Sequence, residues 1–214
     1  MTQEEEIRDL WFRWNELYDK RPKTPDDILE KNRIGELLDE AYKRHEKPLV
    51  DAVLQVGIRI KSVWDFVNTA DKYPEAIPVL IKHLSCQYDH RTKEGIVRAL
   101  AVKEAKGLAN KAIIEEYHKA RNEHHHYRWA FGNTMSVIVT KDDLDELIEI
   151  VTDESNGESR TGFIEALAKI KSPKVIEVLH QLENDKNQIV ADRAKKILAK
   201  KTKAAERKAK KKKP

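Results

Sequence analysis

The side chains able to do chemistry fall in a few places along this chain of 214 residues. The phrase Trp-x-Phe-x-Asn-Thr occurs at residues 64–69 and again at 129–134. Its Trp and Asn are four positions apart, so on a helix they share a face. Trp64, Asn68, Trp129 and Asn133 would offer stacking area beside paired amide donors and acceptors. Three consecutive histidines, His124, His125 and His126, would point in different directions at a helix start, a poor geometry for chelating one metal ion, so an exposed loop or first turn is expected there. Residues 200–214 hold nine basic side chains against the single acid Glu206, including Lys208, Lys210, Lys211, Lys212 and Lys213. A run of this kind is either a solvated extension or a magnet for polyanions, which it binds by releasing their counterions. The lone cysteine, Cys86, excludes an intramolecular disulfide, fits a reducing compartment and reads as a small core residue.

Other chemistry has no local signature. There is no Gly-rich phosphate loop, no cysteine spacing for zinc and no motif ordering Ser, His and Asp into a triad, so neither metal nor cofactor is expected. The formal charge of +4 divides into +8 on residues 200–214 and −4 on the remainder, so the basicity belongs to the tail. No apolar run approaches the ~20 residues of a membrane span. The acidic opening Met1-Thr2-Gln3-Glu4-Glu5-Glu6 is unlike a secretory signal. A cytoplasmic protein is expected, the lysines serving as a nuclear address in a eukaryotic cell.

Helices must position these residues. Gly and Pro number seven each, sparse for a turn-rich β fold. Ile7, Leu10, Trp11, Trp14, Leu17 and Tyr18 follow helical spacing behind Thr2 and Glu5, a capping-box pair. Thr24-Pro25-Asp26-Asp27 opens a second helix, and residues 1–47 read as an amphipathic cap. Beyond it the chain repeats. Ile77, Val79 and Leu80 match Ile176, Val178 and Leu179, three periods of 33 later. Residues 111–114 and 142–147 supply the intervening first helices. One apolar column of the second helices runs Phe66, Ile96, Phe131, Phe163, Ala194. Another, four residues on, runs Ala70, Leu100, Met135, Leu167, Leu198. Together they form the inward stripe. About five hairpins are expected over residues 48–200, the first being 48–70, followed by a disordered Lys-rich tail at 201–214.

This pattern resembles HEAT repeats, and the resemblance covers about 150 residues. It rests on the two columns and on a basic residue early in the second helix, here Lys93, Arg128 and Arg160, with Asp89 and Asp185 near the acidic turn position. Ala191 replaces the basic residue in the last unit, as suits a terminal cap. The resemblance implies an all-α, right-handed α-solenoid whose second helices line a concave side. Trp64/Asn68 and Trp129/Asn133 then fall in a column otherwise occupied by Glu94/Arg98, Thr161/Glu165 and Asp192/Lys196. Two readings stay open: a recognition surface made by Trp64, Asn68, Glu94, Arg98, Trp129, Asn133 and Glu165, or Trp wedged between neighbouring helices with Asn bonded to backbone.

The expected function is a non-enzymatic, monomeric scaffold holding a protein partner on that concave face. The alternative is a nucleic-acid binder aided by the tail. In its sharper form it is similar to HEAT-like alkylpurine DNA glycosylases, with Trp64, Trp129 and Asp65 in that family's aromatic and acidic roles. The acidic body speaks against such a groove. HEAT-type iron hydroxylases need several His-Glu pairs, and only His45-Glu46 occurs. Assembly through the helix bearing Trp11 and Trp14 is a third possibility.

Overall fold

The computed structural model describes residues 2–121, 123 and 125–211, excepting the side chains of residues 125, 126, 205, 206 and 208–211. Among the described residues there are helices and no strand, so the protein is all-α. None of these helices is long and apolar enough to cross a membrane. The chain divides into two compact units, Met1–Ala99 and Leu100–Pro214.

The first unit opens with α1 (Gln3–Asp19) and α2 (Pro25–Gln55), each started by a complete capping box, Thr2 with Glu5 and Thr24 with Asp27. They pack through Ile7, Leu10, Leu38, Ala41 and Tyr42. The expected boundary at residue 48 falls inside α2, which passes straight through Pro48. Proline removes one backbone donor and crowds the carbonyl four residues earlier, yet Arg44 and Pro48 are both exposed. Water can therefore satisfy that carbonyl, while buried His45, Glu46, Leu49 and Val53 hold both halves in line. The cap and the first hairpin are thus one 31-residue helix.

Next come α3 (Trp64–Val67), α4 (Ile77–Leu84) and α5 (His90–Ala99). The second helix of the first hairpin is only four residues long. It stops because the Asn68 side chain donates to the Trp64 carbonyl at 3.0 Å, and Thr69 then accepts from the Asp71 amide. Ala70 is consequently exposed, not part of the inward stripe, whereas Phe66, Ile96 and Leu100 are buried as expected. Cys86 is likewise half-exposed, its thiol directed at the Lys82 carbonyl, so it is not a core residue.

The second unit contains α6 (Asn110–Lys119), α7 (His125–Ile138), α8 (Leu144–Thr152), α9 (Arg160–Leu167), α10 (Pro173–Leu182) and α11 (Gln188–Lys211). Successive pairs pack as hairpins, α8 touches α10, and α9 touches both α7 and α11. Phe131, Met135, Phe163, Leu167, Ala194 and Leu198 are all buried. At the α7–α9 crossing Gly132 meets Gly162, where a Cβ built on Gly132 would lie 2.8 Å from the Gly162 Cα. Buried polar ties join one hairpin to the next. Arg128, at the start of α7, donates to Asn156 at 2.7 Å and to the Tyr117 hydroxyl at 2.9 Å. Arg160, at the start of α9, clasps Asp185 through two bonds of 2.7 and 2.9 Å. Residues 201–211, expected to be disordered, continue α11. Ala and Lys are strong helix formers, and the packed turns at 190–198 supply the costly nucleus from which helix propagates.

Candidate functional site

The duplicated phrase takes two different environments. In the first unit Trp64 leans on α5. A Cβ on Gly95 would fall 3.1 Å from the indole Nε1 and 2.4 Å from Val63 Cγ1, so Gly95 is the hollow that receives this corner. The indole N–H is buried without a hydrogen-bond partner, and the Arg91 guanidinium lies 6.0 Å from the ring. Asn68 is spent on the backbone, and Glu94 and Arg98 form an ion pair of 2.7 Å on α5. Trp64 therefore packs as a wedge. Trp64→Ala is expected to destabilise the protein by ~2 kcal/mol through lost apolar contact, and Trp129→Ala by well under ~1 kcal/mol. Urea unfolding followed by circular dichroism measures both, and equal losses would show that the two environments do not differ.

Asp65, the acid offered by the glycosylase resemblance, accepts backbone bonds from Lys61 at 2.7 Å and Ser62 at 3.3 Å, closing the turn before α3. It borders an open pocket of about 180 Å³ with Ile58, Phe66, Thr69 and Tyr73. That volume is below the ~300 Å³ at which small-molecule sites begin.

A polar cluster that the repeat pattern did not reveal lies between α2 and α5. His45 Nδ1 and Asp89 Oδ2 are 3.2 Å apart, and Thr92 donates its hydroxyl to Asp89 at 2.7 Å. The hydroxyl bonds the carboxylate rather than the imidazole, so His45 is not placed to activate it as a nucleophile. His83 Nδ1 contacts the Tyr88 hydroxyl at 2.7 Å. Burial pushes the Tyr88 phenol up to about 12, and burial with the Asp89 charge does the same for Tyr42. Neither phenol ionises near neutral pH. The adjacent Glu46 accepts from the Val63 amide and the Ser62 hydroxyl, pinning the start of α3 to α2. The sequence signal for this clamp was the His45-Glu46 dipeptide facing Asp89, which spacing alone could not pair. Among the described residues, no three His, Cys, Asp or Glu side chains converge as a metal site would require.

Burial pushes the Glu46 carboxyl above its ordinary value of 4.5, against the bonds from Val63 and Ser62. A raised folded-state value means the native protein holds that proton more tightly than the unfolded chain. This group's contribution to stability therefore falls as pH rises from the ordinary value through the folded one. Glu46→Gln keeps an acceptor for Val63 and removes the titration. The stability of the variant relative to the parent should improve as pH is taken from 4 to 7 in thermal melts. A difference that stays constant with pH would contradict this.

In the second unit Trp129 is 38% exposed and Asn133 is half-buried on the same face of α7. They flank Gly132, where α7 meets α9. Glu165 on α9 pairs with Arg193 on α11 at 2.8 Å, and the Lys169 ammonium donates to the Ser136 carbonyl at the end of α7. Thr161 is buried and bonds the Glu158 carbonyl, so it is not part of this surface. Of the expected recognition residues, Trp129, Asn133 and Glu165 occupy adjacent helices of one unit. Trp64, Asn68, Glu94 and Arg98 belong to the other unit and are engaged locally.

His124, Lys212 and Lys213 lie outside the described residues, as do the side chains of His125, His126, Lys208, Lys210 and Lys211. Comparison with protein-family models, curated proteins and solved structures returns no match.

Proposed function

We propose that this protein is a non-enzymatic scaffold of HEAT-like hairpins, stacked within each unit as a short solenoid. It holds a protein partner on the face formed by its second helices. The packing order supports the architecture, since second helices touch second helices in α7, α9 and α11 and the first helices α8 and α10 also meet. The ties Arg128–Asn156 and Arg160–Asp185 recur at equivalent places in successive hairpins.

The observation that carries the binding reading is the exposure of Trp129 on a helix immobilised by the Gly132–Gly162 contact. A large aromatic side chain on a rigid backbone loses little entropy on docking and excludes much water, as binding hot spots do. Asn133 supplies a donor and an acceptor beside it, and the Glu165–Arg193 pair forms a polar margin. The test is a nuclease-treated pull-down comparing the parent protein with Trp129→Ala/Asn133→Ala, after confirming equal melting temperatures. A protein lost from the double variant, and whose purified form binds the parent at least tenfold more tightly, supports the assignment. An unchanged set of captured proteins removes it.

A further inference from the structure

Helix α11 outlasts the core that supports it. Among the described side chains its buried residues Val190, Ala191, Ala194, Ile197 and Leu198 end at position 198, yet the helix continues to Lys211. Among the described residues a further tie holds it down, the Lys201 ammonium donating to the Ala168 carbonyl at the end of α9 at 2.7 Å. At ~100° per residue, Lys201 and the buried residues mark one side of the helix. Lys196, Lys200, Lys203 and Arg207 follow at intervals of four, three and four residues, so they align on the opposite side. All four are exposed, and no ion pair involves them among the described residues. One turn earlier on the same face, Asp192 is bonded by Gln188 at 2.7 Å.

We propose that this stripe is a docking surface for the phosphate backbone of double-stranded nucleic acid, gripped without reading the bases. The inference is independent of the protein-binding face. Three observations carry it. First, the stripe is preformed, so little entropy is lost in aligning its charges on a partner. Second, its charge spacing is comparable to that of phosphates: Lys196, Lys200, Lys203 and Arg207 cover ~16 Å of helix axis, one per ~5–6 Å, against one phosphate per ~3.4 Å along a nucleic-acid strand, and long lysine and arginine stems span the difference. Third, residues 199–211 contain no side chain larger than Ala among their apolar members, so this stretch lacks the apolar face needed to lie in a lipid surface. Residues 1–195 carry 31 basic against 36 acidic side chains, a net −5 that repels the duplex and confines contact to this C-terminal element.

The test is fluorescence anisotropy with the full chain and an arbitrary 20-base-pair duplex, as DNA and as RNA, between 50 and 200 mM salt. Four phosphate contacts make the affinity fall about a hundredfold over that range, with a log–log slope near −3.6 from these four alone. Lys196→Ala/Lys200→Ala/Lys203→Ala/Arg207→Ala should flatten the slope by about that amount and abolish binding at 200 mM salt. The fold should be kept, because Ala favours helix and all four sites are exposed. A control carrying Lys111→Ala/Lys119→Ala/Lys141→Ala/Lys186→Ala has the same net charge and should bind like the parent. Equal weakening in the control would mean that charge acts from no particular place, which overturns the assignment. So would parent-level binding by the stripe variant, absence of binding at 50 mM salt, or capture of phosphatidylserine vesicles in preference to either duplex.

Discussion

Asp185→Ala should destabilise the second unit by about 3–5 kcal/mol, a large part of the ~5–15 kcal/mol that holds a domain together. The Arg160 side chain is 1% exposed, and Asp185 meets it with both carboxylate oxygens. Removing the acid leaves a guanidinium that can neither lose its charge nor reach water. Its remaining acceptors are the carbonyls of Gly157 and Val151. The cost comes from orphaning a charge, so removing both partners is the decisive comparison. Arg160→Met/Asp185→Leu should recover most of the loss, since apolar side chains of similar size replace a desolvated pair at little net cost. Urea unfolding of the two single variants and the double variant measures the coupling. Additive losses would show that the pair does not act as a unit.

The same pair predicts an acid limit. Burial pushes the Asp185 carboxyl up, but the Arg160 hydrogen bonds, the Asn187 amide and the Arg160 charge outweigh it and hold the group below its ordinary value of 3.8. A depressed folded-state value contributes stability that is present above 3.8 and lost as pH falls through the folded value. Asp185→Ala should therefore narrow the gap to the parent protein only at strongly acid pH.

Gly132→Val is the second large effect, expected to cost ~3 kcal/mol or more, or to prevent the second unit from folding. Its Cβ would lie 2.8 Å from the Gly162 Cα and 3.0 Å from the Phe163 amide nitrogen, which are backbone atoms and cannot rotate aside. Relief requires α7 and α9 to separate, which uncovers Phe131 and Phe163, both now fully buried. Overpacking against mobile side chains costs ~1–3 kcal/mol, and a rigid neighbour puts this site at or beyond the top of that range. Because the contact is reciprocal, Gly162→Ala should also destabilise. Gly132→Ala/Gly162→Ala should then cost less than the sum of the singles, since one separation of the helices relieves both clashes. Strict additivity in the double-mutant cycle would refute a shared crossing point.

Side-chain periodicity alone determined the helical class and, Ala70 excepted, the inward columns. Phe131, Phe163, Leu100 and Leu167 were assignable to the core because a 3.6-residue period puts i and i+4 on one face whatever lies across from it. The Thr2 and Thr24 starts were legible because capping is a contact between residues three apart. Tertiary structure decided what depends on a neighbour distant in sequence. Pro48 reads locally as a boundary, yet α2 runs through it because buried residues on both sides anchor one helix. Trp64 and Trp129 sit in the same phrase, and only their surroundings separate them: a hollow at Gly95 receives the first, while the second remains exposed on α7. Gly132 opposite Gly162, Arg160 with Asp185, and the clamp of His45 with Asp89 bring together groups 25 to 44 positions apart. Local spacing carries no information about such pairs, because packing between helices selects them.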